Sequence, residues 1–248
     1  MDSIAGGQIQ GARENQQDAF SYLEWNQNHY LMILADGIGG ATGGEIASNI
    51  AVREFKNTFI SDVSISSIRD RLIHSLQAVN DALYMEKKEH QTISALGGTT
   101  LTGAVVIEHK FYWISVGDSP LWLIRGQSIT RLNEDHSIGA VLDMRAQAGE
   151  ISWEVAKKSN ERNNLLSAVL GADIDYVDAP ADPIQLYPGD VLICASDGIE
   201  TCAPEEILQI VTAGHPSPLD IVEVLLESVA AMNRPKQDNA SLIVYRYR

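Results

Sequence analysis

The chain has 248 residues, 45% of them hydrophobic and 21% charged, the balance of a folded globular protein and not of a disordered one. Its 33 acidic residues outnumber 18 basic ones, and the formal net charge of −15 argues against a broad cationic face for nucleic acid or for an anionic membrane surface. No apolar run reaches the ~18 residues that a bilayer crossing needs, and the opening MDSIAGGQIQ has neither a basic start nor an apolar signal core, so a cytoplasmic protein without membrane insertion is expected.

Two apolar runs, AFSYLEW (19–25) and HYLMILA (29–35), flank Asn26–Asn28 and predict a hairpin. The glycine-rich turn DGIGGATGGE (36–45) follows. A helix is predicted over 45–59, with Ile46, Ile50 and Phe55 forming much of its inner face, and a second over 66–89, where Ile68, Leu72, Leu76, Val79 and Leu83 recur at helical spacing. TTLTGAVVIE (99–108) and FYWISVG (111–117), joined through His109 and Lys110, read as strands. LWLIRG (121–126) continues them after a turn at Asp118–Pro120, in what looks like an antiparallel, hairpin-linked set.

The stretch 136–170 is polar and helical, with Ser152 as an N-cap and Glu154 in the first turn. The final third predicts a strand in GDVLICASDG (189–198), a short helix in EEILQIV (205–211), a longer one in LDIVEVLLESVAAM (219–232) and a closing strand in SLIVYRY (241–247). Leu219, Val222, Leu226 and Val229 mark the inner face of the longer helix. Helices grouped together and strands grouped in hairpins imply stacked layers, helices outside antiparallel sheets. Cys194, inside an apolar run, reads as a buried structural residue, and with Cys202 it forms neither a zinc spacing nor a disulfide framework.

Four aspartates sit at the ends of these apolar runs: Asp36, Asp118, Asp197 and Asp238. Carboxylates at strand ends can converge on one sheet edge, and an all-oxygen donor set suits the hard cations Mg²⁺ and Mn²⁺. The six histidines form no HExxH pattern or paired ligand spacing and read as surface or packing residues, with only His136 beside a motif. Gly37 and Gly198 each follow one of the aspartates, so backbone can approach an ion closely and the Gly37 carbonyl is a candidate ligand. The reading is a metal-dependent hydrolase.

RENQQDAF (13–20), ADGIGGATGGEIAS (35–48), GGTT (97–100), VGDS (116–119), LNEDHSIG (132–139), LICASDGI (192–199) and QDNASLIV (237–244) occur in that order. The ordered set resembles the bacterial-type members of the type 2C protein phosphatases, the metal-dependent serine/threonine phosphatases of the PPM superfamily. The resemblance implies a single phosphatase domain over 1–248, an α+β sandwich of two central antiparallel β-sheets flanked by antiparallel helix pairs. It also implies a flap-like insertion at about 137–170.

By the same resemblance, two Mn²⁺ or Mg²⁺ ions sit at one end of the sandwich. Asp36 bridges them, Asp197 and Asp238 complete one ion's protein shell, and the Gly37 carbonyl serves the other. Asp118 with Asp197 holds a third, weaker ion. Asp18 supports metal-bound water, Asn239 orients ligands or waters, Thr99 and Thr100 support the sheet, and Arg13 grips the substrate phosphate with its planar fork of donors. A water bridging the ions attacks phosphorus directly, without a covalent phosphoenzyme. The implied partners are phosphorylated protein substrates. A monomer opposing a cytoplasmic serine/threonine kinase is expected.

Three positions depart from the family pattern. Gln17 stands where a glutamate is common, Ile38 where many eukaryotic members place a histidine, and Pro120 where the GDS motif usually continues with arginine. Gln17 and Pro120 motivate one alternative, a catalytically weak phosphatase-like binding module, and a small-molecule phosphohydrolase with the same metal chemistry is another.

Overall fold

The protein is seen here in a computed structural model that describes residues 3–39, 43–89 and 97–248. Gly40, Ala41 and Thr42 of the predicted glycine-rich turn, and His90, lie outside the described residues. The elements in chain order are β1 (Ile4–Ile9), β2 (Asp18–Asn26), β3 (His29–Ile38), α1 (Gly43–Ser61), α2 (Ile68–Glu89), β4 (Gly98–Thr99), β5 (Leu101–Ile107) and β6 (Lys110–Val116). They continue with β7 (Leu121–Arg125), β8 (Ser128–Arg131), α3 (Ile138–Gln147), α4 (Trp153–Lys158), β9 (Ile184–Gln185), β10 (Val191–Ala195), α5 (Pro204–Thr212), α6 (Pro218–Ala231) and β11 (Ala240–Arg246).

Two antiparallel sheets result. One runs β1-β11-β10-β7-β8 and the other β2-β3-β5-β6-β9, with β4 attached to β3. Their facing sides form one apolar layer, in which Met32, Leu34, Val106 and Trp113 of the second sheet meet Leu121, Leu192, Cys194 and Ile243 of the first. The outer face of the second sheet is covered by α1 and α2, through Ala47, Phe55, Phe59, Leu72, Val79 and Leu83. The outer face of the first is covered by α5 and α6, through Ile207, Ile221, Leu225 and Val229. Burying an aromatic such as Phe55 or Phe59 contributes about 1.5–3 kcal/mol each, so the two helix layers are held by their apolar stripes more than by helix propensity. The layer order is therefore helices, sheet, sheet, helices, as the resemblance implies.

The β2–β3 hairpin turns at Asn28, a residue type that tolerates its positive φ of 57°. Its register sets Asp18 opposite Asp36 at the open end. Ser152 caps α4 through a bond from the Val155 amide, with Glu154 in the first turn, as expected. Cys194 is fully buried. Among the described residues, no helix is long and apolar enough to cross a membrane.

Several expectations are corrected. Ile46 lies in the open first turn of α1 and is 42% exposed, because the buried stripe runs through Ala47, Ile50, Ala51 and Phe55. Leu219 is half exposed for a similar reason, the stripe of α6 being Pro218, Ile221, Val222, Leu225 and Val229. β6 and β7 are not hairpin partners: they belong to different sheets, and Gly117–Pro120 carries the chain from one to the other. Helix accounts for only part of 136–170. Beyond α4 the chain runs through turns and isolated bridges, Ser137 to Leu165 and Thr99 to Val169. Strands β1 and β8 have no apolar run of their own and gain their order by pairing with β11 and β7.

Candidate active site

Each strand-end aspartate leaves its sheet at the same end of the sandwich. Asp36 is near the end of β3, Asp118 lies in the inter-sheet crossing, Asp197 opens the 3₁₀ turn 197–201 after β10, and Asp238 stands just before β11. All four line one cavity of about 240 Å³, together with Arg13, Gly37 and Thr100. A larger cavity of about 520 Å³ lies between α2 and 172–179, but its charged lining is limited to Arg69 and Asp173, so chemistry and not size picks out the smaller one.

The backbone at Asp36 is clamped from both sides. Its N–H donates to Thr100 Oγ1 (2.9 Å), and its carbonyl accepts from the Thr100 N–H (2.8 Å) and from Thr99 Oγ1 (2.9 Å). Thr99 and Thr100 thus hold the end of β3. Asp18 is buried behind the cavity: Ser196 Oγ donates to its Oδ2 (2.7 Å), while its Oδ1 has no hydrogen-bond partner. Asp197 Oδ1 is likewise buried and unpartnered.

Crowding these carboxylates out of water raises their proton affinity. Burial holds Asp36 well above the usual carboxylate range, and Asp18, Asp197, Asp118 and Asp238 push it the same way. Burial, then Asp118 and Asp238, lifts Asp197 to about 8. Burial followed by Asp135 lifts Asp118 to about 6. Asp18 is raised chiefly by burial, against bonds from Ser196 and Ser241. Desolvated like charges of this kind are costly unless a cation joins them.

Among the described residues, no three His, Cys, Asp or Glu side chains form a ready-made cation cage. The carboxylates line a shared cavity instead, and Asp238 is turned to Arg13. The donor chemistry nevertheless fits a hard divalent ion, because the set is all oxygen and one of its buried oxygens, Asp197 Oδ1, lacks a partner.

The glycines after Asp36 and Asp197 serve the packing of backbones. A Cβ on Gly37 would stand 2.3 Å from the Gly44 carbonyl oxygen, and one on Gly198 would stand 1.9 Å from that of Asn239. Asn239 itself orders the loop that carries Arg13. Its Oδ1 accepts from the Gln17 N–H (2.8 Å), and its Nδ2 donates to the carbonyls of Gln10 (2.8 Å) and Asn15 (3.1 Å). Gln17, at the departure from the family pattern, donates from Nε2 to the Gly39 carbonyl (3.3 Å).

The crossing 117–120 is held from the segment after β8. The Gly117 N–H donates to His136 Nδ1 (3.2 Å), Asn133 Nδ2 donates to the Ser119 carbonyl (2.9 Å), and Thr100 and Ser119 share a hydroxyl bond (2.8 Å). His136 is therefore a packing histidine, its proton affinity lowered chiefly by burial. The sequence reading missed Asn133 and Ser196, though both lie inside motifs it quotes. It also missed Asn163 and Leu165, which reach the cavity from the segment 137–170 and carry no motif.

A fold of two facing antiparallel sheets under paired helices, with aspartates gathered at one end, defines a class that comparison makes specific. The sequence profile of the protein phosphatase 2C family matches residues 6–212. This chain belongs to that family. The serine/threonine phosphatase stp of Listeria monocytogenes is 29% identical over 196 residues, 78% of this chain and 75% of its own. The crystal structure of the PPM Ser-Thr phosphatase MsPP from Mycobacterium smegmatis, in complex with cacodylate, is 30% identical with a TM-score of 0.77, covering 99% of this chain and 98% of that one. The catalytic domain of PstP, solved in complex with two manganese ions, shares the fold at a TM-score of 0.79 and 22% identity, covering 98% of this chain and 96% of its own.

Proposed function

We propose that this protein phosphatase hydrolyses phosphoserine and phosphothreonine on protein substrates with Mn²⁺ or Mg²⁺ held at the carboxylate cavity. The observation that carries the reading is the convergence of Asp36, Asp118, Asp197 and Asp238 on one cavity that Arg13 also lines. The two manganese ions of the PstP structure support it.

Asp36, the Gly37 carbonyl, Asp197 and Asp238 would hold two ions, and Asp118 with Asp197 a third. Such ions, when bound, supply a nucleophilic water at neutral pH and neutralise charge on the phosphoryl group. Arg13, whose side chain is 55% exposed, grips the phosphate and orients it. Asp18 Oδ1 accepts a hydrogen bond from water behind the cavity. Ile38 has no proton to give, so protonation of the leaving oxygen falls to water or to another group at the cavity. The reading includes a cytoplasmic monomer opposing a serine/threonine kinase, in keeping with the acidic composition.

The test is phosphate release from a phosphothreonine peptide with and without Mn²⁺, in wild-type protein and Asp36→Asn. Release should require the ion and vanish in the variant. Turnover that survives chelation, or persists in folded Asp36→Asn, overturns the mechanism. Tight peptide binding without release at any Mn²⁺ concentration would identify a binding module. Release confined to small phosphate esters would identify a small-molecule phosphohydrolase.

A further inference from the structure

Arg131 ends β8 at the centre of an acidic cluster. Its Nη2 donates to the carbonyl of Asp118 (2.5 Å), and its Nη1 pairs with Asp135 Oδ2 (3.0 Å) and faces Glu200 Oε1 (3.6 Å). Its Nε reaches Asn133 Oδ1 (3.4 Å), and the side chain is only 23% exposed. These partners come from the inter-sheet crossing, the segment after β8 and the 3₁₀ turn that Asp197 opens. They tie together the two segments that deliver Asp118 and Asp197 to the cavity.

Asp135 and Glu200 are within electrostatic reach of those two aspartates. Both are gathered on the guanidinium that also holds the Asp118 backbone, and Glu200 sits in the 3₁₀ turn that Asp197 opens. Without a cation between them, both would be further carboxylates competing for whatever Asp118 and Asp197 bind. Pro120 offers the crossing no side-chain donor, so the guanidinium that reaches Asp118 comes from β8. A guanidinium spreads five N–H donors over a rigid plane and so reaches a carbonyl and two carboxylates on different sides, where an ammonium gathers its three donors at one point.

We propose that Arg131 is a positioning residue for the Asp118–Asp197 side of the cavity: it fixes the Asp118 backbone and keeps Asp135 and Glu200 away from the cation. The inference rests on the metal-dependent reading given above.

The test is Mn²⁺ titration of metal-free protein by calorimetry for wild type, Arg131→Lys and Arg131→Met, with thermal unfolding in chelator as the fold control. Both variants should bind the weakest class of Mn²⁺ about tenfold less tightly, the scale of a lost outer partner. Phosphopeptide KM should stay unchanged, and kcat should recover at high Mn²⁺. Wild-type Mn²⁺ affinity in Arg131→Lys overturns the proposal. So does tighter binding in Arg131→Met, the result that loss of charge alone would produce. Should both variants fail to fold, Arg131→Gln keeps an amide donor for the Asp118 carbonyl and loses both ion pairs while Asp135 and Glu200 stay. Weaker Mn²⁺ binding is again expected there, and unchanged binding overturns the role. Wild-type protein that binds Mn²⁺ but releases no phosphate refutes the phosphatase reading and leaves the positioning role standing, whereas wild-type protein that binds no Mn²⁺ refutes both.

Discussion

Arg13 and Asp238 are joined by an ion pair, Nη2 to Oδ2 at 2.5 Å, across 225 positions of sequence. The proposed phosphate grip and a proposed cation ligand therefore satisfy one another. Both side chains are partly exposed, 55% and 37%, and a pair in that setting is worth under about 1 kcal/mol. Exchange of Arg13 for a cation at Asp238, and of Asp238 for a phosphate at Arg13, is consequently cheap.

Arg13→Ala should raise the phosphopeptide KM about tenfold or more, the worth of one charge-assisted hydrogen bond. Mn²⁺ affinity should stay the same or tighten by up to about fivefold, because Asp238 loses a competing cation. Steady-state kinetics and Mn²⁺ titration measure the two effects separately. Weaker Mn²⁺ binding would show that Arg13 supports the ion and does not compete with it.

Asp197→Asn should lower kcat by more than about 100-fold, beyond the usual cost of an outer partner. In chelator, the same variant should unfold at an equal or higher temperature than wild type. Asp197 is desolvated beside Asp118 and Asp238 and has an unpartnered oxygen, so its charge opposes folding when no ion is bound. A lower melting temperature in chelator would mean that the side chain serves the fold and not the ion.

Much of this was legible in the sequence because strand runs and motifs report local conditions. The runs at 29–35 and 192–195 are dense in apolar residues since both faces of their strands are covered. Four aspartates at run ends were enough to place one edge of the sandwich. The partner of a strand after a short turn is set by packing, which is why β6 and β7 read as a hairpin while Gly117–Pro120 passes between sheets. Ile46 and Leu219 failed because a few apolar positions fix a stripe's angle only loosely: Ala47 and Pro218, their neighbours in the chain, are the buried ones. Arg131 was invisible for another reason: its value lies in joining Asp135, four residues on, to Asp118 and Glu200 from other segments, and no local pattern encodes that junction.

Gly198→Ala should destabilise the protein by about 1–3 kcal/mol, the cost of overpacking a filled site. The added Cβ would lie 1.9 Å from the Asn239 carbonyl oxygen, so the turn after β10 and the start of β11 must part. Asp197 and Asp238 flank those two residues, and Mn²⁺ affinity should fall along with stability. Urea unfolding of the metal-free variant measures the first effect, and an unchanged midpoint would contradict the close approach.

Within segment 137–170, the proposed flap, one bidentate pair ties α3 to the turn after α4. Arg162 donates from Nη1 and Nη2 to the two carboxylate oxygens of Asp143 in α3 (2.7 and 2.8 Å), and from Nη1 to the Ala156 carbonyl in α4 (3.1 Å). Asn163, the next residue, lines the cavity, so the clamp sets what the flap presents to a substrate. Arg162→Met should speed amide hydrogen exchange over 138–163 and raise KM for a phosphopeptide, while leaving hydrolysis of a small aryl phosphate near the wild-type rate. Arg162 holds the Asp143 carboxyl below its ordinary value. A folded-state value that is depressed stabilises above the unfolded one, about pH 4, and the stabilisation is lost as pH falls through the depressed value. Protection of 138–163 should therefore be flat from pH 5 to 8 once corrected for intrinsic exchange. Loss of protection within that window, or an unaltered exchange pattern in Arg162→Met, would show that something other than this clamp holds the flap.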